Sequence, residues 1–156
     1  MRLNPRKTYL SKNPFFSGSS ESISALFKAP KFIYMDRNIN QVAPSFLSLK
    51  QFLSHVFYGK QPSKTRYKSI LKILCFWRDA PIKDLSKYVM LRASFKELTT
   101  EPVNLVNKIY QFMGINMGAE YKKELAREAL MAKSFKSEHR YSSTAFDLDS
   151  LNSEYL

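Results

Sequence analysis

Residues 31–57, KFIYMDRNINQVAPSFLSLKQFLSHVF, decide the fold. Phe32-Ile33-Tyr34-Met35 is a short apolar run, aromatic and β-branched, set just behind Pro30, and it predicts a buried strand over residues 32–35. The polar Asp36-Arg37-Asn38 follows at once. Val42, Phe46, Leu49, Phe52, Leu53, Val56 and Phe57 then recur at helical spacing. Asn38 or Asn40 can cap that helix, and Pro44 is tolerable only near its first turn. The stretch therefore reads strand, tight polar turn, helix. In an open α/β sheet such a turn lies at the carboxyl end of a strand, where ligands bind.

Two residues of this unit could carry chemistry. Arg37 stands at the strand's carboxyl end, and Ser45 follows eight positions later, early in the helix. A helix N-terminus presents N–H groups and the positive end of its dipole. An Arg fork and a Ser hydroxyl would complete a phosphate pocket there. Spacing alone equally allows a surface arginine and an ordinary helical serine.

FIYMDRNINQVAPSFLSL resembles the 3′-phosphate-binding strand-turn-helix of sulfotransferases that use 3′-phosphoadenosine 5′-phosphosulfate (PAPS) as sulfuryl donor. KNPFFSG upstream and HRYSS near the end are similar to segments of the bacterial and carbohydrate-directed branch. The resemblance implies that Arg37 and Ser45 hold the nucleotide's 3′-phosphate. It also implies that Lys12, at the junction of a strand and a loop, reaches the transferring sulfuryl group as the catalytic lysine. A C-terminal loop would close over the site, with Arg140 and then Lys136 as further cofactor-binding residues. Three departures from the family pattern are visible. Ile39 stands where relatives often carry Pro, Ser11 where heparan-type relatives carry a Glu base, and Phe95-Lys96-Glu97-Leu98 where Tyr-Glu-Asp-Leu is usual.

The implied fold is α/β, a partial P-loop-NTPase-like sulfotransferase fold in which a short parallel sheet is covered by helices. Its other essential part, a glycine-containing loop that cradles the 5′-phosphosulfate, has no counterpart: the glycines, at 18, 59, 114 and 118, never cluster. The expectation is a single, incomplete domain over residues 1–156, the C-terminal portion of a complete enzyme, with residues 134–156 as loop and tail. The implied partners are the nucleotide donor and a hydroxyl-bearing acceptor, with carbohydrate as one candidate class. No general base is identified.

Composition bounds these readings. At 156 residues the chain can bury one core, and 44% hydrophobic content excludes a disordered tail. The single cysteine, Cys75, excludes an internal disulfide and a cysteine-rich zinc site. Within the apolar run 70–77 it reads as a buried structural thiol. No apolar run approaches membrane-spanning length, and the N-terminus lacks the apolar core of a signal peptide, so a soluble, cytoplasmic chain is expected. A net charge of +12 favours polyanionic partners. A basic protein binding nucleic acid or acidic glycan is the competing class. Against nucleic acid, the aromatic residues fall mostly on expected core faces.

Along the rest of the chain the pattern predicts strands over residues 7–10 and 88–91 and helices over residues 20–29, 64–78, 102–113 and 120–133. Pro81 is placed in a loop, Gly59 and Gly114 at helix stops, and Trp77 as a packing anchor. Leu125, Ala129 and Leu130 are expected to face inward.

Overall fold

The computed structural model describes residues 8–134 and Phe146. Two strands, β1 (Phe32–Asp36) and β2 (Met90–Ser94), pair in parallel from Phe32 opposite Met90 to Asp36 opposite Ser94. Parallel neighbours need a crossover. Here it is a pair of long helices, α2 (Ile39–Tyr58) and α3 (Lys64–Asp84), the first helix, α1 (Ser20–Leu26), preceding β1. After β2 come α4 (Phe95–Thr100), α5 (Pro102–Met113) and α6 (Ala119–Ser134). The result is a helix-rich α/β domain around a short parallel sheet. Among the described residues no helix is long and apolar enough to cross a membrane.

The core lies where α2 crosses α3. Ile39, Ala43 and Leu47 recur every four residues on α2 and meet Ile70, Leu71 and Leu74 of α3. Phe146 joins them, its ring centroid 5.6 Å from that of Tyr67. Leu47 is fully enclosed, a burial that contributes about 1.5–3 kcal/mol. Trp77 anchors as expected, taking Phe15 and Phe46 edge-on at 5.2 and 6.1 Å. The stripe expected to be buried on α2 is only half so. Val42 and Phe46 flank the core, whereas Leu49, Phe52, Val56 and Phe57 are exposed. This helix carries two apolar faces, and α3 covers only one of them.

Several boundaries correct the sequence reading. Residues 8–10 form no strand; Tyr9 stacks on Phe27 at 6.3 Å and Leu10 is exposed. A strand persists only by pairing, and among the described residues β1 pairs with β2 alone. The junction expected to lead into Lys12 is therefore irregular chain. β2 begins two residues later than predicted because the N–H groups of Lys87 and Tyr88 still turn back to the Asp84 carbonyl. Pro81 sits inside α3, not in a loop. It removes one hydrogen bond from the last turn, but its ring is buried, and the Tyr34 hydroxyl donates to the nearby Arg78 carbonyl at 3.2 Å. Leu130 is exposed, with Ala129 buried beside it, and α5 buries Leu105. Gly59 and Gly114 end α2 and α5 at positive φ, as expected.

Candidate functional site

Parallel pairing places the carboxyl ends of β1 and β2 side by side, so Arg37 leaves one strand where Phe95 leaves the other. Their side chains meet, the guanidinium carbon lying 4.0 Å from the Phe95 ring centroid. A guanidinium resting on a ring is held by its face while its N–H donors point outward from the edge. Phe95 is one of the positions where this chain departs from the expected Tyr-Glu-Asp-Leu pattern, and here it is a platform for Arg37.

The adjacent carboxylate is already engaged. Asp36 and Arg92 share one sheet face on neighbouring strands, and Arg92 Nε donates to Asp36 Oδ2 at 2.9 Å while Nη2 donates to the same oxygen. Among the described residues Arg37 makes no ion pair, its one charge contact being the Phe95 ring. Asp36 would otherwise neutralise the cation beside it; bound by Arg92, it leaves Arg37 as the positive group at the strand ends. Tyr34 lies on the same face. Burial, and next the Asp36 charge, push its phenol above the ordinary value.

The first turn of α2 completes this edge. Asn38 Oδ1 accepts from Asn40 N at 2.8 Å, and the Asn38 carbonyl accepts from Gln41 and Val42. Ser45, half-buried, stands two turns in. The N-terminus of α4 is closed by its own capping box, Ser94 Oγ accepting from Lys96 N and Glu97 Oε2 from Ser94 N. Of the two helix starts at this edge, α2 is the one with Arg37 just before its cap and Ser45 within it.

Lys12 is exposed and precedes Asn13, whose side chain caps a 3-10 turn over Pro14–Phe16 by accepting from Phe15 N at 3.0 Å. That turn is fastened to the α2–α3 pair through Phe15 on Trp77, and Trp77 also takes Phe46, the neighbour of Ser45. One aromatic cluster thus ties down the segments of both Lys12 and Ser45. Lys136 and Arg140 lie outside the described residues. A concavity of about 330 Å³ opens between α5 and α6, lined by residues such as Pro102, Val103 and Ala129. It includes none of Lys12, Arg37 and Ser45. The Cys75 thiol is half-buried and pushed up by that burial, which suits packing and not nucleophilic attack.

Asp36, Arg92 and Phe95 were not singled out as site residues from sequence. The signal that could have found them is strand register, since Arg92 reaches Asp36 only once β2 is placed two residues later.

A parallel strand pair with an arginine at its carboxyl edge that makes no ion pair among the described residues, followed by a capped helix, defines a helix-rich α/β domain. Comparison with family models makes the class specific: the sulfotransferase family model matches residues 2–119. The chain belongs to the sulfotransferase family. The match spans the Lys12, Arg37 and Ser45 segments and stops at the start of α6. No curated protein and no solved structure matches the chain.

Proposed function

We propose that this chain binds the 3′-phosphate end of PAPS and serves sulfuryl transfer from that donor to a hydroxyl or amine acceptor, a glycan among the candidates. The observation that carries the reading is Arg37: a guanidinium at the end of a parallel strand, seated on Phe95 and relieved of its neighbouring carboxylate by Arg92. Arg37 and Ser45 are the 3′-phosphate ligands. Lys12 is the cation that offsets charge growing on the leaving oxygen, with Arg140 and then Lys136 closing the nucleotide end. Transfer of this kind depends on positioning and charge stabilisation.

Residues 1–156 contain no glycine-rich loop for the 5′-phosphosulfate. The chain's own share of the donor site is accordingly its 3′ end, the C-terminal portion of a P-loop-like sulfotransferase fold. Weak nucleotide affinity and little or no turnover are expected from these 156 residues alone.

The test is calorimetric titration at fixed salt with 3′-phosphoadenosine 5′-phosphate and with adenosine 5′-phosphate. The first should bind better. Arg37→Ala should remove most of the difference, a charge-assisted contact worth about 1.5–3 kcal/mol, and Lys123→Ala on α6 should leave it intact. Equal affinity for the two nucleotides would favour the competing reading, a basic protein that binds acidic polymers without catalysis.

A further inference from the structure

The nucleotide reading leaves unused a run of positive charge on the α2–α3 hairpin. Between Asp36 and Asp79 the chain contains no acidic residue, so Lys50, Lys60, Lys64, Arg66, Lys68 and Lys72 lie on a stretch of the hairpin without acidic residues, whereas Arg78 pairs with Asp79. The tip of that hairpin is also its most apolar surface. Phe57 and Tyr58 are each 71% exposed and Val56 is 57% exposed. Phe52 continues this surface one turn back along α2 at 63%. Lys60, Lys64 and Arg66 surround the tip and are exposed.

The tip is braced from within. Gly59 stops α2 in the left-handed region at φ +64, Ser54 Oγ donates to the Lys60 carbonyl at 2.9 Å, and Ser63 Oγ accepts from Arg66 N at 3.3 Å. The Ser54 and Ser63 hydroxyls are engaged with the tip's own backbone. Outward stand the Phe57 ring, the Tyr58 phenol, the branched Val56 and cations, with His55 and Gln61 beside them.

We propose that the tip of the α2–α3 hairpin docks the protein on an anionic membrane surface, Val56, Phe57 and Tyr58 entering the headgroup layer while Lys60, Lys64 and Arg66 meet lipid phosphates. Apolar side chains gain by leaving water only if the partner offers an apolar phase, and the surrounding cations require that phase to carry negative charge. An anionic bilayer supplies both. A nucleic acid or acidic glycan would use the cations and planar rings but leave Val56 in water. A second copy of the chain, meeting tip to tip, would set like charges against each other.

The experiment is co-sedimentation of the full chain with phosphatidylcholine vesicles and with vesicles containing about a third phosphatidylglycerol, at two salt concentrations. Binding should appear on the anionic vesicles and be weak on neutral ones. Phe57→Ser should reduce it by about tenfold or more, and Lys60→Gln and Lys64→Gln by about fivefold each. These positions are exposed, and circular dichroism checks that each variant folds; Val56→Ser provides a second apolar deletion should Phe57→Ser misfold. The proposal is overturned if the lysine variants lose binding while Phe57→Ser and Val56→Ser keep it, because the contact is then charge alone. It is equally overturned if heparin or a single-stranded oligonucleotide binds with the same Phe57 dependence and anionic vesicles do not. Sedimentation velocity showing a dimer that Phe57→Ser dissolves, with no vesicle binding, would assign the tip to a second copy. Vesicle binding seen only after Asp147→Asn and Asp149→Asn would assign it to the chain's own acidic C-terminal residues.

Discussion

Asp36 and Arg37 are adjacent in sequence, and by charge alone they should cancel. The pairing of β1 with β2 separates their roles, giving the carboxylate to Arg92 and the guanidinium to Phe95. Arg92→Gln should therefore weaken binding of 3′-phosphoadenosine 5′-phosphate by about tenfold, since Asp36 is released to compete for Arg37. The half-exposed ion pair itself contributes little to stability, so the melting curve should barely move. Arg127→Gln on α6 removes the same formal charge far along the chain and, at salt high enough to screen the general field, should leave nucleotide affinity unchanged. Cys75 offers a test of local burial. Its thiol is pushed up chiefly by desolvation, and a raised pKa leaves less thiolate at a given alkaline pH. Alkylation by iodoacetamide at pH 8 should run slower than for an unstructured cysteine thiol, with the pH–rate profile displaced upward; denaturation should abolish the difference. An equal rate in the folded chain would place Cys75 at the surface.

At the level of elements, α2 shows what periodicity can and cannot deliver. Its existence, its cap at Asn38 and its stop at Gly59 are legible because each rests on local chemistry: a side-chain acceptor for an unmet N–H, and a residue free to take positive φ. The choice of inward face is not legible. Two apolar stripes of comparable strength run along this helix, and only the packing of α3 selects Ile39, Ala43 and Leu47 over Leu49, Phe52 and Val56. Leu47→Ala should accordingly cost about 2–5 kcal/mol in denaturant unfolding, while Leu49→Ala, only two residues away, should stay within about 1 kcal/mol. Similar losses would mean that both faces are covered. The same distinction explains the strands. Residues 32–35 announce themselves by composition, and β1 adds only Asp36. The second strand was displaced by two positions because the hydrogen bonds from Lys87 and Tyr88 back to Asp84 carry no sequence signature. Residues 8–10 have strand composition but no partner strand among the described residues. For the proposed site, the sequence offers Arg37 and Ser45 as candidates from their place after a strand. It does not offer Arg92 and Phe95, because their roles exist only in the paired register.

Across the whole molecule, a net charge of +12 raises the attraction of any polyanion whether or not a site exists. Nucleotide binding by itself therefore cannot distinguish a pocket from a field, but its salt dependence can. A field acts through solvent and fades over the Debye length, about 10 Å at 0.1 M and about 3 Å at 1 M salt. A charge-assisted hydrogen bond between Arg37 and a phosphate acts at contact and is far less screened. At low salt, Arg37→Ala and Lys123→Ala should both weaken binding of 3′-phosphoadenosine 5′-phosphate, since each removes one positive charge. As salt rises toward 1 M the Lys123→Ala loss should vanish, while the Arg37→Ala loss should persist at about tenfold or more. Titration of the wild type and both variants across that range reads the two behaviours directly. If the Arg37→Ala loss fades in step with that of Lys123→Ala, the guanidinium on Phe95 contributes only to the general field and the 3′-phosphate assignment fails. If only Arg37→Ala holds its loss, the anion is bound at the end of β1, and the surplus charge of the α2–α3 hairpin is left for a different partner.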